Sequence, residues 1–522
     1  MGVKSFSKLA VIVFFLAYFL TGVFVYRDYG VPWDEKIQQE YGVEVFNHVF
    51  LRDKKPLDKI DKFYGPVFEV FLVGAQKIFN LSDSREIYFS RHFLTFMTQY
   101  AGVLFFFLLL RKRFGTWLSL LGSAVLVLTP RLFAHSFYNS KDMVFLSFFI
   151  INVYFVLQFL DKRSYFSAFI LAFTSAVLID TRILGVLIPF FVALFISSGV
   201  LLPYTLSFLR KRESRSRVKP GMTIIDSGLS LSLLKQELKP LVVYVLVTAI
   251  FTVLFWPTLW ENPVGNFIKA FKYYPQPTEM LFYGKKIESV NLPFYYAPGW
   301  MLVTIPPAYI FVFCLGLFYF VYKRSSLRKE DMLILLWFFV PLLSVILLKS
   351  VLYDEWRQLF FIYPAFVYIL TFAVNASGFF LKRALILAVL VNALLALGFM
   401  YRNHPFENMY FNVFAGEKST IGQRFDLDYW GLSYRKGLEY IVRTDDRDKI
   451  KVKVANYPGK NNTLILPEPD RKRLDVSQKT KEPDYYVTNF RGEVVVPESF
   501  EEVHSVWADG VKILNVYKKG TP

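Results

Sequence analysis

Two acidic residues, Asp34 and Glu35, follow soon after the first strongly apolar segment, in the run Tyr29-Gly-Val-Pro-Trp-Asp-Glu-Lys36. A carboxylate at the edge of a membrane can contact a lipid-borne substrate on one side and a polar acceptor in water on the other. A positioned carboxylate can also take a proton from a reacting hydroxyl. Pro32 and Trp33 fix the turn beside the interface, which favours a functional role for Asp34.

Charged residues also gather at three later connections that the topology below places on the same side of the membrane. These residues are Lys141 and Asp142, then Asp180 and Arg182, and finally Asp354, Glu355 and Arg357. Four such connections at one membrane face predict a shared pocket. The alternative is that these side chains are interfacial caps and snorkelling anchors. For Asp142 and Asp180, each taken alone, the two interpretations carry equal weight.

Several function classes are disfavoured by what the sequence lacks. The central turns of the predicted spans carry no Asp, Glu, Lys, Arg or His, whereas ion-coupled transporters usually keep an ionisable residue there. No glycine-rich phosphate loop indicates a nucleotide-driven motor. No metal-ligand spacing is evident. The single cysteine, Cys314, excludes a disulfide within one chain.

The composition is that of a membrane protein. The 522 residues are 54% hydrophobic and 19% aromatic, and the mean hydropathy is +0.36, which is unusual for a soluble protein. The net charge of +18 could indicate nucleic acid binding. However, the basic residues cluster between apolar segments, as anchors at an inner leaflet do, so no nucleic acid partner is predicted.

Eleven segments have the apolar character of membrane spans, which need about 20 residues each. They are 9–26, 92–110, 117–133, 143–160, 164–179, 185–202, 241–258, 301–321, 332–348, 358–374 and 384–400. Lys and Arg concentrate on the side of the N-terminus, which predicts a cytoplasmic N-terminus and a C-terminal region outside.

The remaining regions lie between or after these spans. Residues 27–91 form a predicted outer loop with amphipathic helices near 36–50 and 63–80, the second lying on the membrane surface. Residues 203–240 form a basic cytoplasmic loop. Its segment 207–223 resembles peptides encoded by dispersed palindromic repeats of bacterial genomes, and an anionic-lipid contact is the alternative.

The tail, residues 401–522, predicts a small outer α/β domain. Its apolar runs shorten, and strand patterns appear at 451–455, 463–466, 485–488 and 511–517. A helical pattern covers residues 433–443.

A family resemblance emerges when these motifs are taken in order. They are Trp33-Asp34-Glu35, Tyr64-Gly65-Pro66, Arg91, Arg113-Phe-Gly115, Pro130 through Asp142, Asp180-Thr-Arg182 and Asp354 through Pro364. From residue 1 to about 400 the chain resembles membrane glycosyltransferases that use polyprenyl-phosphate sugars, the protein O-mannosyltransferases and lipid A aminoarabinose transferases. The segments 404–412 and 428–431 resemble a bacterial branch of this group whose acceptors are mostly unassigned. The resemblance implies a GT-C fold, an α-helical polytopic membrane protein of about eleven spans with a small C-terminal α/β domain.

The resemblance also implies roles for the candidate residues. Asp34 and Glu35 form the implied catalytic group, with Asp34 as the general base of an inverting transfer to an acceptor hydroxyl. The residues implied to bind the donor phosphate are Arg182, Arg357 and Lys141. The residues implied to orient the acceptor or a cation are Asp142, Asp354 and Tyr64. Relatives have His-Pro or Glu-Lys where this chain has Tyr64-Gly65, so a divalent cation and the acceptor class stay open.

Other functions fit parts of the pattern. A lipid-linked glycan ligase would share the topology and the charges at the outer face. A flippase would need polar or cationic residues along an intramembrane path, which the spans lack. A non-catalytic membrane assembly protein predicts that Asp34 is dispensable. Neither the sugar nor the acceptor follows from the sequence. The expected partners are a lipid-linked sugar donor and membrane lipids, and the expected location is a bacterial inner membrane.

Overall fold

The computed structural model describes residues 3–53, 57, 60–197, 225–273, 277–492 and 495–520. They form two compact units. The first comprises Met1–Lys55, Phe68–Ser147 and Tyr274–Pro522, and the second comprises Pro56–Val67 and Phe148–Tyr273. The segment 207–223 lies outside the described residues, so both hypotheses for it stay untested.

Most of the elements in the first unit are helices, and two helices have residues in both units. The helices up to that point are α1 Val3–Val25, α2 Glu35–Phe50, α3 Val67–Ile78, α4 Ser84–Phe114, α5 Thr116–Val127, α6 Pro130–Tyr138 and α7 Asp142–Asp161. The second unit holds α8 Tyr165–Thr181, α9 Leu187–Ile196, α10 Ile225–Phe255 and α11 Pro263–Phe271. The first unit then continues with α12 Tyr296–Thr304, α13 Pro307–Tyr322, α14 Lys329–Leu347, α15 Tyr363–Ala376 and α16 Phe379–Asn403.

The helices support an integral membrane protein. Within the described ranges, six helices are long and apolar enough to cross a membrane, and the bent pair α5 and α6 makes up to seven. Four shorter apolar helices are Tyr165–Thr181, Ile183–Ile196, Lys239–Phe255 and Pro307–Tyr322. Each of the eleven predicted spans overlaps one of these elements. The number of spans and the orientation stay predictions.

Two predicted spans, 117–133 and 301–321, were wrong as continuous helices, and each is broken at a proline. The span 117–133 is broken because Pro130 starts a new helix, bent by 69° from α5, since the residue before a proline favours an extended backbone. The span 301–321 is likewise interrupted before Pro307. The predicted span 92–110 lies within α4, which starts at Ser84, where the Asp83 carboxylate accepts a 2.8 Å bond from the Arg85 amide.

The tail contains most of the β-structure. The strands are β1 Glu279–Phe282, β2 Lys285–Glu288, β3 Ile450–Val454, β4 Leu474–Ser477, β5 Tyr485–Thr488, β6 Phe500–Ala508 and β7 Val511–Lys519. The last five form one sheet in the order β4-β3-β5-β7-β6. Strand β3 pairs in parallel with β4 and β5, and β7 pairs antiparallel with β5 and β6.

The predicted C-terminal α/β domain is confirmed in type, and its first residue stays a prediction. The helix predicted at 433–443 is Tyr434–Thr444. The strand predicted at 463–466 was wrong, because Asn462–Ile465 is a short 3₁₀ helix. Its apolar Ile465 is buried against Val31 outside the sheet. Strand β6 was missed because the adjacent Glu501 and Glu502 interrupt its alternation. Strand β4 does alternate, but its four residues are too few to stand out from the surrounding polar sequence.

Candidate active site

Arg357 is the centre of a charged cluster in the first unit. Its Nη1 donates a 3.0 Å hydrogen bond to Asp142 Oδ2. Its Nη2 lies 3.7 Å from Asp34 Oδ2 and 3.9 Å from Asp354 Oδ2. Arg357 and Asp142 are buried, whereas the Asp34 side chain is 34% exposed. Three of the four charged connections therefore meet at one guanidinium.

Two of these carboxylates lie at the N-termini of helices. Asp34 directly precedes α2, and Asp142 is the first residue of α7. Asn139 holds Asp142 from both directions: its Oδ1 accepts from the Asp142 amide, and its Nδ2 donates to Asp142 Oδ2, both at 2.9 Å. Carboxylates at helix N-termini are favoured by the helix dipole.

The third carboxylate stands in a strained turn. Asp354 and Glu355 have φ angles of +55° and +66°, a region that costs a non-glycine residue of order 1–3 kcal/mol. The turn leads into the 3₁₀ helix Arg357–Ile362. Consecutive residues of this kind are held by surrounding structure and concentrate at functional sites.

Two aromatic rings fix the plane of Arg357. The guanidinium carbon lies 4.8 Å from the ring centroid of Tyr353 and 4.9 Å from that of Trp430. Guanidinium groups stack favourably on aromatic faces. Trp430 belongs to the segment 428–431 that the sequence singled out without a role, and here it contacts the central cation of the cluster.

Glu35 belongs to a separate, buried network. One carboxylate oxygen accepts a 3.1 Å bond from Arg91 Nε, and the other lies 3.1 Å from His92 Nε2. Arg91 also donates to Glu69 at 2.8 Å, and Glu69 accepts a 2.7 Å bond from the Ser140 hydroxyl. The network ties α2, α3 and α4 together at the residue beside Asp34. The catalytic role implied for Glu35 stays a prediction.

Sequence reasoning missed a second buried pair. Arg131 and Glu355 lie 2.7 Å apart, and both are buried. The Arg131 guanidinium lies 4.4 Å from the Phe411 ring centroid, and its Nε donates to the Tyr410 carbonyl at 2.9 Å. Burial raises the pKa of the Glu355 carboxyl, and Arg131 opposes that rise. The signal in the sequence was a basic residue directly after Pro130 and an acid directly after Asp354.

Lys141 lies in the first unit between Ser140 and Asp142. Its side chain is half-buried, and its carbonyl accepts a 2.9 Å bond from the Phe145 amide. Its implied contact with a donor phosphate stays a prediction.

Tyr64 and Arg182 belong to the second unit. Arg182 directly follows α8. Within the same unit, the Val67 amide donates a 2.6 Å bond to buried Asp180, and Tyr64 packs edge-to-face on Tyr273. The roles implied for Tyr64 and Arg182 also stay predictions.

Among the residues that the structure describes, no three or more His, Cys, Asp or Glu side chains form a group that could hold a metal ion. The carboxylates of the cluster are instead directed at guanidinium groups. A role for a divalent cation stays a prediction.

Residues 65–208 match the family model of dolichyl-phosphate-mannose-protein mannosyltransferase. No curated protein sequence matches the chain. Among solved structures, it is similar to ArnT from Cupriavidus metallidurans in the apo state, with 13% identity and a TM-score of 0.53, covering 98% of both chains. The chain has the GT-C fold. The same protein bound to undecaprenyl phosphate gives 13% identity and a TM-score of 0.54, covering 99% of this chain and 98% of that one.

The GT-C fold confirms the predicted fold class. The predicted resemblance to polyprenyl-phosphate-sugar-dependent membrane glycosyltransferases is confirmed by the family match together with this fold. The matched family segment contains Asp142 and Arg182. It starts at Gly65, directly after Tyr64.

Proposed function

We propose that this chain is an inverting glycosyltransferase that moves a sugar from a polyprenyl-phosphate carrier to an acceptor hydroxyl. The family match and the GT-C fold support the transferase class. ArnT, with the same fold, has been solved with undecaprenyl phosphate bound. The observation that carries the proposal is Arg357, which holds the partly exposed Asp34 and the buried Asp142 in one charged cluster.

Asp34 would act as the general base. An acceptor hydroxyl attacks the anomeric carbon of the sugar while Asp34 takes its proton. The new bond joins the acceptor oxygen to that carbon, and the bond from the carbon to the phosphate oxygen breaks. The departing phosphate oxygen keeps the electron pair, and a single displacement inverts the anomeric centre. A positioned carboxylate can contribute about 10²- to 10⁴-fold to such a step.

Arg357 would stabilise the negative charge that grows on the leaving phosphate. A fixed guanidinium suits this role because it binds phosphate in a defined geometry and stays charged. Asp142 and the rings of Tyr353 and Trp430 would keep it aimed at the reacting group. Arg182 and Lys141 would add positive charge at the phosphate, and Asp354 and Tyr64 would orient the acceptor.

We further propose that the reaction takes place at the outer face of a bacterial inner membrane. The asymmetric distribution of Lys and Arg between the predicted loops supports this orientation. A panel of hexosyl and pentosyl donors would identify the sugar that is transferred.

The direct test compares purified wild-type protein with Asp34→Asn for release of polyprenyl phosphate from a panel of polyprenyl-phosphate sugars. Glu40→Gln is a matched control, because Glu40 lies on α2, is exposed and forms an ion pair with Lys36 at 3.5 Å. We expect release by the wild type and by Glu40→Gln, and a loss of about 10²-fold or more in Asp34→Asn.

The other outcomes separate the rival functions. Equal release by the wild type and Asp34→Asn would remove Asp34 from the mechanism. A folded wild type that releases no carrier from any monosaccharide donor would contradict the proposal. Subsequent transfer of a preassembled lipid-linked glycan would then identify a ligase, whereas the absence of any transfer would favour an assembly protein.

A further inference from the structure

The backbone that leads into Asp34 is bound by an asparagine of the tail. The Val31 amide donates to Asn462 Oδ1, and Asn462 Nδ2 donates to the Val31 carbonyl, both at 3.0 Å. The carboxamide thus pairs with Val31 as a neighbouring strand would. Asn462 is fully buried, and its Nδ2 also lies within 3.0 Å of the carbonyls of Gly431 and Pro458.

Neighbouring contacts extend this hold on the segment. Asn461 Nδ2 lies 3.3 Å from the carbonyls of both Pro32 and Trp33. A Cβ at Gly30 would overlap Asn462 Oδ1, so a glycine is required at this close approach. Ile465, three residues after Asn462, packs against Val31 in a buried cluster with Tyr88 and Phe89.

An arginine of the tail contacts the same segment at Trp33. Arg491 Nη2 donates to Asp354 Oδ1 at 2.7 Å, and its Nη1 donates to the Tyr429 carbonyl at 2.9 Å. Its guanidinium carbon lies 5.6 Å from the ring centroid of Trp33. Arg491 therefore contacts the residue beside Asp34 and the carboxylate that faces Arg357.

These contacts differ from a general docking of one part of the chain on another. They fall on Val31, Pro32 and Trp33, which directly precede Asp34, and on Asp354. Val31 and Pro32 lie three and two residues before Asp34 and Trp33 adjoins it, whereas Asp354 is itself a carboxylate of the Arg357 cluster. A buried side-chain amide that satisfies backbone donors and acceptors also fixes the conformation of that backbone, because leaving them unpaired would cost about 1–3 kcal/mol each.

We propose that Asn462 and Arg491 are positioning residues of the active site, through which the tail holds Asp34 and Asp354 around Arg357. This inference rests on the proposed function only for its effect on rate. The tail would then be needed for the chemical step itself. Loss of its contacts would lower the rate of that step and leave the affinity for the donor unchanged.

The kinetic consequence is specific. If Asp34 loses its fixed approach, the attack geometry worsens, and a misplacement of about 1 Å can cost roughly 10²-fold in rate. Arg357 keeps its bond to Asp142, so the affinity for the donor phosphate changes little. We therefore expect Asn462→Ala and Arg491→Ala to lower kcat by about 10- to 100-fold with little change in the KM for the donor.

Matched controls exist within the tail. Asn515→Ala removes a buried asparagine that bonds Glu502 and Tyr517, and Arg447→Ala removes an arginine that pairs with Asp445 and Asp484. Both variants should keep the wild-type kcat per folded molecule. Arg491→Lys keeps a positive charge near Asp354 but lacks the planar guanidinium that lies over the Trp33 ring. Its kcat should therefore fall between those of Arg491→Ala and the wild type.

A labelling experiment tests the positioning without relying on activity. Cys314 is the only cysteine, so a Cys314→Ser, Asp34→Cys protein carries one thiol at position 34. Adding Asn462→Ala should speed its reaction with a hydrophilic thiol reagent several-fold, whereas adding Asn515→Ala should not. Equal labelling rates in all three proteins would overturn the inference. An inactive wild type would refute the proposed function while the labelling still decided the positioning.

Discussion

The Arg357 guanidinium donates to Asp142 at 3.0 Å while its other terminal nitrogen faces Asp34 at 3.7 Å. Asn139 fixes Asp142 through two hydrogen bonds, and Asp142 in turn fixes the orientation of the Arg357 guanidinium. Its Nη2 also lies 3.9 Å from Asp354 Oδ2, so this nitrogen faces two carboxylates, of which Asp34 is the more exposed. This geometry suits a cation that must be ready before a phosphate arrives, because a pre-oriented group needs no rearrangement during the reaction.

Substitution of Arg357 should weaken catalysis strongly. In Arg357→Ala the leaving phosphate loses a fixed positive charge, and we expect kcat/KM for the polyprenyl-phosphate sugar to fall by about 10²- to 10³-fold. Arg357→Lys should recover part of the loss, because an ammonium keeps the charge but cannot contact Asp142 and Asp34 in one plane. Steady-state release of polyprenyl phosphate measures both.

Arg113→Ala is the control for the loss of a buried ion pair. Arg113 pairs with Asp331 at 3.0 Å, and its removal should lower stability with kcat/KM per folded molecule retained. A wild-type kcat/KM in Arg357→Ala would contradict the role assigned to Arg357.

Glu35→Gln should affect stability more than rate. The amide keeps the shape of Glu35 but leaves the Arg91 charge with only Glu69 as a carboxylate partner, and breaking a buried pair can cost about 3–5 kcal/mol. Chemical unfolding in detergent measures the loss, and carrier release per folded molecule should stay within about tenfold of wild type. A rate as low as that of Asp34→Asn, with full stability, would show instead that Glu35 takes part in the chemical step.

The sequence predicted the elements that carry the charges better than it predicted their partners. Apolar length alone located helices such as α7 and α16, because a span must satisfy its backbone internally. The connections that carry Asp34, Asp142 and Asp354 were predicted to share a pocket, but that their carboxylates meet at the Arg357 guanidinium became visible only in the fold.

The contribution of the tail could not be predicted from periodicity. Nothing in the spacing of Asn461 and Asn462 indicates a contact with distant backbone, and the strand predicted beside them, 463–466, was wrong. Their role depends on backbone groups of Val31, Pro32 and Trp33, far away in the chain. Side-chain bonds to distant backbone leave no spacing pattern in a sequence, and the same applies to Arg491 beside Asp354.

Stability should decline at alkaline pH through His404. Its Nδ1 lies 2.7 Å from Glu407 and its Nε2 lies 2.9 Å from Asp28. Burial opposes the charged form, but the two carboxylates outweigh it and raise the pKa of His404 to about 9. A raised pKa in the folded state stabilises the fold fully below about 6.5, and this contribution is lost as the pH rises through about 9.

We expect the melting temperature to fall between about pH 6.5 and 9, and His404→Gln to flatten this decline. His504→Gln is the control. His504 stacks on Tyr440, and burial lowers its pKa, so its removal should leave the decline in place. An equal decline in wild type and His404→Gln would exclude His404 as its source.

Gly65→Ala should destabilise the second unit. A Cβ at this position would overlap the backbone carbonyl and the carboxyl carbon of Asp180, and the backbone of a packed helix cannot yield as a flexible side chain would. The Asp180 carboxylate is also fixed by the Val67 amide at 2.6 Å. We expect a loss of about 1–3 kcal/mol, measured by thermal unfolding in detergent.

Gly74→Ala provides a control of opposite sign. Gly74 lies within α3, and the nearest atom to an added Cβ is a Phe46 ring carbon at 3.9 Å. Alanine is favoured over glycine inside a helix by roughly 0.5–1 kcal/mol, so this variant should be slightly more stable than the wild type. If Gly65→Ala were as stable as Gly74→Ala, Gly65 could not lie against Asp180. Close packing against Asp180, near the end of α8, would then not explain why glycine stands at position 65.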